Sequence, residues 1–209
     1  MMRKVLVLAP HTDDGEFGCG GTIARMCRNG DEVHYIAFSA AEKSVPKHLP
    51  PGILRTELRA AASILGLQSD RVSVLDFEVR VFPEHRQEIL ECMLRLNETI
   101  RPDMVLLPSV NDTHQDHAVI AAEGFRAFKR TTMLGYEIPW NNLDFRTSCF
   151  VLLDDECAER KVNALACYES QRHRPYASAE SVRSLLVTRG TQVGHKYAEA
   201  FDVIRWVLS

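Results

Sequence analysis

The sequence predicts a Rossmann-like three-layer α/β/α fold built on a mostly parallel sheet. Short apolar, β-branched runs alternate with amphipathic stretches, as in successive βαβ units. The first four runs are apolar throughout rather than alternating, which marks strands buried on both faces. The chain has 209 residues and is 45% hydrophobic, enough for one domain with a full core.

The elements follow in order. Val5–Ala9 is the first strand. Phe17–Asn29 is a helix closed by Gly30, which suits the left-handed turn at a helix end. Glu32–Ser39 is the second strand, and Ala40–Gly52 is a loop rich in Pro and Lys. Leu54–Leu65 is a helix stopped by Gly66. Val72–Leu75 is the third strand, Glu84–Ile100 a helix and Met104–Leu107 the fourth strand. Ala118–Arg130 is helical, and Thr132–Ile138 and Ser148–Leu153 are strands. Asp154–Cys167 is a helix with Asp154 or Asp155 as its N-cap. Ser181–Leu186 starts another helix, and Phe201–Val207 is a last strand. No repeat or Gly/Ser linker interrupts this series, so residues 1–209 read as one domain.

Composition excludes several classes. Average hydrophobicity with a formal charge of −3 argues against a disordered chain and against a nucleic-acid partner. No apolar run approaches the ~20 residues of a membrane span. The run from Val5 to Pro10 is too short for the core of a signal peptide, and acidic residues follow it at once. The cysteines at 19, 27, 92, 149, 157 and 167 form no CxxC pair, so reduced thiols and a cytoplasmic location are expected.

Open α/β sheets bind ligands at the carboxyl ends of strands, where strand order reverses. In the order 3-2-1-4 that point lies between strands one and four. His11-Thr12-Asp13-Asp14 follows strand one, and Asn111-Asp112-Thr113-His114-Gln115-Asp116-His117 follows strand four. Two clusters of metal-type ligands, distant in sequence, therefore meet at the crevice. Two imidazoles and a carboxylate around an open fourth position describe a catalytic metal site. A spare carboxylate would take a proton from water, and a spare histidine would assist at an oxyanion. Two alternatives stand beside this. HTDDGE can be a plain Asx turn and helix cap. Gly15, Gly18, Gly20 and Gly21 fall where a dinucleotide loop would lie, but Ile23 replaces the third glycine and strand two ends without the acidic ribose ligand. The glycines then serve a sharp turn and close helix packing.

The stretch VLVLAPHTDDGEFGCGGTIA, with HQDH after a later strand, resembles the LmbE-like (PIG-L) zinc-dependent de-N-acetylases. ELRAAASILGL, KVNALACYESQ and RGTQVGHKYAEAF extend the resemblance over nearly the whole chain. It implies removal of the N-acetyl group from an N-acetylglucosamine-type amino sugar or its conjugate. It implies His11, Asp14 and His117 as ligands of Zn2+, with Fe2+ as another divalent ion the set would accept. It implies Asp13 as general base and His114 as oxyanion stabiliser or acid. It also implies a substrate-contacting arginine, for which Arg55 is the nearest candidate, and leaves homo-oligomerisation open. Thr12 departs from the family's proline; it adds a backbone N–H and a hydroxyl but touches no ligand. A metal hydrolase of another class, an Fe(II) oxygenase and a non-catalytic ligand-binding module are the competing functions.

Other residues carry two readings each. His34 reads as structural, and His85 as exposed. His48 belongs to a surface loop or a substrate lid. Arg172, His173 and Arg174 form a basic patch, either surface charge or an attractor of anionic groups. His195 and Tyr197 line the pocket or pack a helix. Glu16 and Glu57 orient ligands or are simple helix charges. Trp140 packs or stacks on a sugar face.

Overall fold

A computed structural model describes residues 2–208. Its elements are β1 (Lys4–Ala9), α1 (Asp14–Arg28), β2 (Glu32–Ala37), α2 (Ile53–Leu65), β3 (Val72–Val74), α3 (Arg86–Ile100) and β4 (Met104–Pro108). Then come α4 (Gln115–Ala127), β5 (Thr132–Tyr136), β6 (Cys149–Leu153), α5 (Asp155–Leu165), α6 (Ala179–Thr191) and β7 (Tyr197–Arg205). The strands form one sheet in the order β3-β2-β1-β4-β5-β7-β6. The first five run parallel, and β7 is antiparallel to both β5 and β6. The mostly parallel α/β architecture is the one expected, and strand order turns between β1 and β4.

Each sheet face carries its own core. On one, Val5, Val7 and Leu106 pack with Ile23, Leu58, Leu65 and Leu186 from α1, α2 and α6. On the other, Leu6, Leu8 and Val105 pack with Ile89, Met93 and Ile120 from α3 and α4. β1 and β4 are almost wholly buried, as continuous apolar runs require.

Two helices start earlier than their apolar periodicity indicates. α1 begins at Asp14 rather than Phe17, and α4 at Gln115 rather than Ala118. Their first turns carry Asp14, Glu16 and Asp116, acidic groups that a helix N-terminus favours. Both site motifs are thus fixed to helix starts on a rigid sheet. The last strand runs Tyr197–Arg205, earlier than expected, because YAEAF pairs with β6 before the chain reaches β5.

α1 is broken at Cys19 (φ −147°, ψ 24°). The bond from Gly21 N–H to the Phe17 carbonyl, which an unbroken helix would make, is replaced from outside. Glu199 accepts from Gly21 and Thr22 N–H at 2.9 and 2.6 Å. Lys161 Nζ donates to the Phe17 carbonyl at 2.6 Å and pairs with Glu199 at 2.6 Å. One buried ion pair therefore caps both halves of the helix. The glycines here serve packing rather than a turn, since none of Gly15, Gly18, Gly20 or Gly21 has positive φ. A Cβ on Gly15 would stand 2.5 Å from the Tyr35 ring, and one on Gly18 2.2 Å from Tyr136.

Candidate active site

The β1–α1 and β4–α4 turns meet at the carboxyl edge of the sheet. Ring centroids of His11, His114 and His117 lie 5.1, 5.3 and 4.6 Å apart. One donor atom from each of the three falls within 4.8 Å of the others. Asp14 enters the same group, its Oδ2 lying 3.1 Å from His11 Nδ1 and 3.2 Å from His117 Nε2. The outer nitrogens of His11 and His117 each face a carboxylate. His11 Nε2 is 2.9 Å from Asp116, and His117 Nδ1 is 2.7 Å from Asp112. This is how metal-binding histidines are oriented, with the inner nitrogen left to the ion. Donors on a tetrahedral zinc at about 2.0–2.1 Å stand about 3.4 Å apart, so the Asp14 separations fit such an ion.

Charge supports the same conclusion. Burial opposes the charge of both imidazoles, yet Asp14 with Asp116 raises His11 to about 9, and Asp14 with Asp112 raises His117 to about 10. Burial likewise opposes the Asp14 carboxylate, yet His117 and then His11 hold it well below the usual range. The site is built to stabilise positive charge at one point, and a divalent ion can take the place of those protons. Burial, and then Asp14, pushes Asp13 up to about 6. Burial lowers His114, and its Nδ1 accepts from Asp116 N–H at 3.2 Å as the N-cap of α4.

Beneath the first turn lies a buried network. Tyr35 and Tyr168 hydroxyls donate to the Thr12 carbonyl at 3.0 and 2.7 Å. Both also reach Glu16, at 2.5 and 3.0 Å. Glu16 thus sets the tyrosines that hold the loop, rather than serving as a helix charge. The Thr12 hydroxyl is buried and has no hydrogen-bond partner among the described residues. Glu57 accepts from Ser170 N–H and Oγ, which ties α2 to the segment after α5.

A cleft of about 250 Å³ opens above the histidines, with Asp13, Phe17, Arg80, Trp140, Arg174 and Tyr176 in its walls. Trp140, 42% exposed, stacks on Tyr176 at 3.8 Å and 13°. Arg55 lies outside this cleft. It bonds to Asp76, Glu42 and the Val74 carbonyl beside a neighbouring hollow. His48 and His173 line a separate cavity, and Arg172 pairs with Glu169. His34 bonds to Glu32, and His195 sits in an exposed turn before β7. Asp112, Asp116, Arg80, Tyr35, Tyr168 and Tyr176 carry no individual sequence signal. The first two stand inside a motif already rich in carboxylates, and the tyrosines look like core residues.

Residues 6–128 match the family model described as PIG-L, GlcNAc-PI de-N-acetylase. The diacetylchitobiose deacetylase of Thermococcus kodakarensis is 25% identical over 97% of this chain and 84% of its own length. A conserved protein from Thermus thermophilus superposes with a TM-score of 0.81 at 27% identity, covering 100% of this chain and 97% of its own. A 4-carboxy-2-hydroxymuconate hydratase from Pseudomonas putida shares the fold, with a TM-score of 0.78 at 20% identity over 100% and 98% of the two chains. The fold alone therefore does not select the reaction. The family match covers more than half of the chain and includes both histidine-bearing turns, and the protein belongs to the PIG-L de-N-acetylase family.

Proposed function

We propose that this protein is a zinc-dependent deacetylase that hydrolyses the acetamide of an N-acetylglucosamine-type sugar or conjugate to acetate and free amine. The observation that carries the reading is the pair of carboxylate-backed imidazoles sharing Asp14, with a second, unshared carboxylate beside them in the cleft. A redox iron site has no need of that second carboxylate; amide hydrolysis does. The similarity to the Thermococcus kodakarensis deacetylase supports the same substrate class.

His11, Asp14 and His117 would hold the ion. When bound, zinc makes water more acidic and polarises a carbonyl. Asp13 accepts a proton as water oxygen bonds to the acetyl carbon. His114 accepts Asp116 N–H on Nδ1, which leaves Nε2 protonated and able to donate to the oxygen that gains charge. Asp13 then returns the proton to nitrogen as the C–N bond breaks, since an amine leaves only once protonated. Trp140 and Tyr176 offer an aromatic wall for a sugar face. Release of acetate from N-acetylglucosamine and its conjugates by zinc-loaded protein tests the reading; release from none of them would refute it.

His114→Ala is expected to keep zinc and lower kcat by about 10²–10³-fold. An unchanged kcat would remove it from the reaction. Acid is expected to reduce kcat/KM by two routes of the same sign. Asp13 must be unprotonated to act, and burial with Asp14 raises its titration to about 6. His11 and His117 must also shed their protons to hold a metal. A pH profile that rises from pH 7 to 5 would contradict this.

A further inference from the structure

We propose that the mouth of the cleft is an anion subsite, in which Arg80 and Arg174 select amino-sugar conjugates bearing a phosphate or carboxylate. The inference rests on the deacetylase reading above and names its substrate class more closely. Arg80 has φ 74°, a left-handed backbone that side chains rarely adopt and that clusters at functional sites. Both of its backbone polar groups are tied to the start of α4. Its N–H donates to Asp116 Oδ2 at 2.7 Å, and its carbonyl accepts from Gln115 at 3.5 Å. The same Asp116 oxygen holds His11. One carboxylate therefore positions a metal-site imidazole and the arginine above it together.

The Arg80 guanidinium extends over the cleft to Ser44 Oγ at 3.1 Å, a neutral partner. Arg174 comes from the segment after α5, with its guanidinium 5.7 Å from the Tyr176 ring centre. Both side chains are exposed and line the same cleft. Other arginines of these regions are already matched with carboxylates: Arg55 with Asp76, Arg86 with Glu123, Arg172 with Glu169 and Arg189 with Glu137. In the acidic floor, Asp14, Asp112 and Asp116 are satisfied by imidazoles and backbone N–H groups, and only Asp13, across the cleft, is favoured in its charged form by Arg174. Two guanidiniums that form no direct salt bridge among the described residues, above an acidic floor, suit a ligand with its anionic group at the rim and its acetamide below. The guanidinium fork matches phosphate and carboxylate oxygens.

The test uses zinc-loaded full-length protein carrying Asp13→Asn, so that ligand persists during calorimetry. N-acetylglucosamine 1-phosphate is compared with the neutral methyl glycoside of N-acetylglucosamine, and acetate release by the unsubstituted protein is followed in parallel. The phosphate is expected to bind at least about tenfold more tightly at low salt, with the preference narrowing as salt rises. Arg80→Gln with Arg174→Gln is expected to bring the two Kd values within about threefold. Equal Kd values before those substitutions, no measurable binding of the phosphate, or a preference that survives the double substitution would overturn the subsite. Arginine-dependent preference without acetate release would uphold the subsite and overturn the deacetylase reading instead.

Discussion

Asp13→Asn is expected to lower kcat by about 10²–10⁴-fold while the protein keeps its zinc. Asp13 is the N-cap of α1, yet its carboxylate makes no cap hydrogen bond and borders the cleft instead. Burial, and then Asp14, raises its titration to about 6, a shift of the kind found at groups placed for proton transfer. Asparagine keeps the shape and cannot take the proton. It also removes a charge that lies unfavourably beside Asp14, so thermal stability should not fall. Turnover within tenfold of the original, or loss of zinc, would remove Asp13 from the role of base.

Lys161→Met is expected to destabilise the fold by about 3–5 kcal/mol, the usual cost of leaving one partner of a buried ion pair alone. In a protein of this size that lowers Tm by roughly 6–20 °C. Lys161 and Glu199 are both 3% exposed. Without the lysine, the Phe17 carbonyl loses its donor and Glu199 keeps an unmatched charge beneath the break in α1. Phe17 lines the cleft, so the damage should reach catalysis through the shape of the site. Adding Glu199→Gln should recover part of the loss, because the stranded charge is then removed while the remaining carbonyl oxygen can still accept from one of Gly21 and Thr22. A calorimetric scan in which Lys161→Met shifts Tm by less than about 2 °C would refute this account of the kink.

Much of the site is legible in the sequence because its chemistry is local there. HTDD and HQDH sit just past two apolar runs, and the parallel order of β1 and β4 brings them together. The rest is set by tertiary contact. Nothing in EVHYIAFS marks Tyr35 as the support of the Thr12 carbonyl, since an aromatic in a buried strand is also an ordinary core residue. The kink at Cys19 depends on Lys161 and Glu199, which lie far along the chain. The family resemblance suggests Arg55 as the substrate-contacting arginine, but its guanidinium bonds to Asp76 and Glu42 beside a neighbouring hollow. The start of β7 lies earlier than the apolar run from Phe201 indicates, because pairing with CFVLL draws YAEAF into the strand.

Quantifying zinc per chain by native mass spectrometry, for the unsubstituted protein and for His11→Ala and His117→Ala, tests most directly whether the two turns share one ion. One zinc per chain is expected, with affinity reduced by at least about 10²-fold in each variant. Equal zinc content in all three proteins, or none in the first, would contradict it.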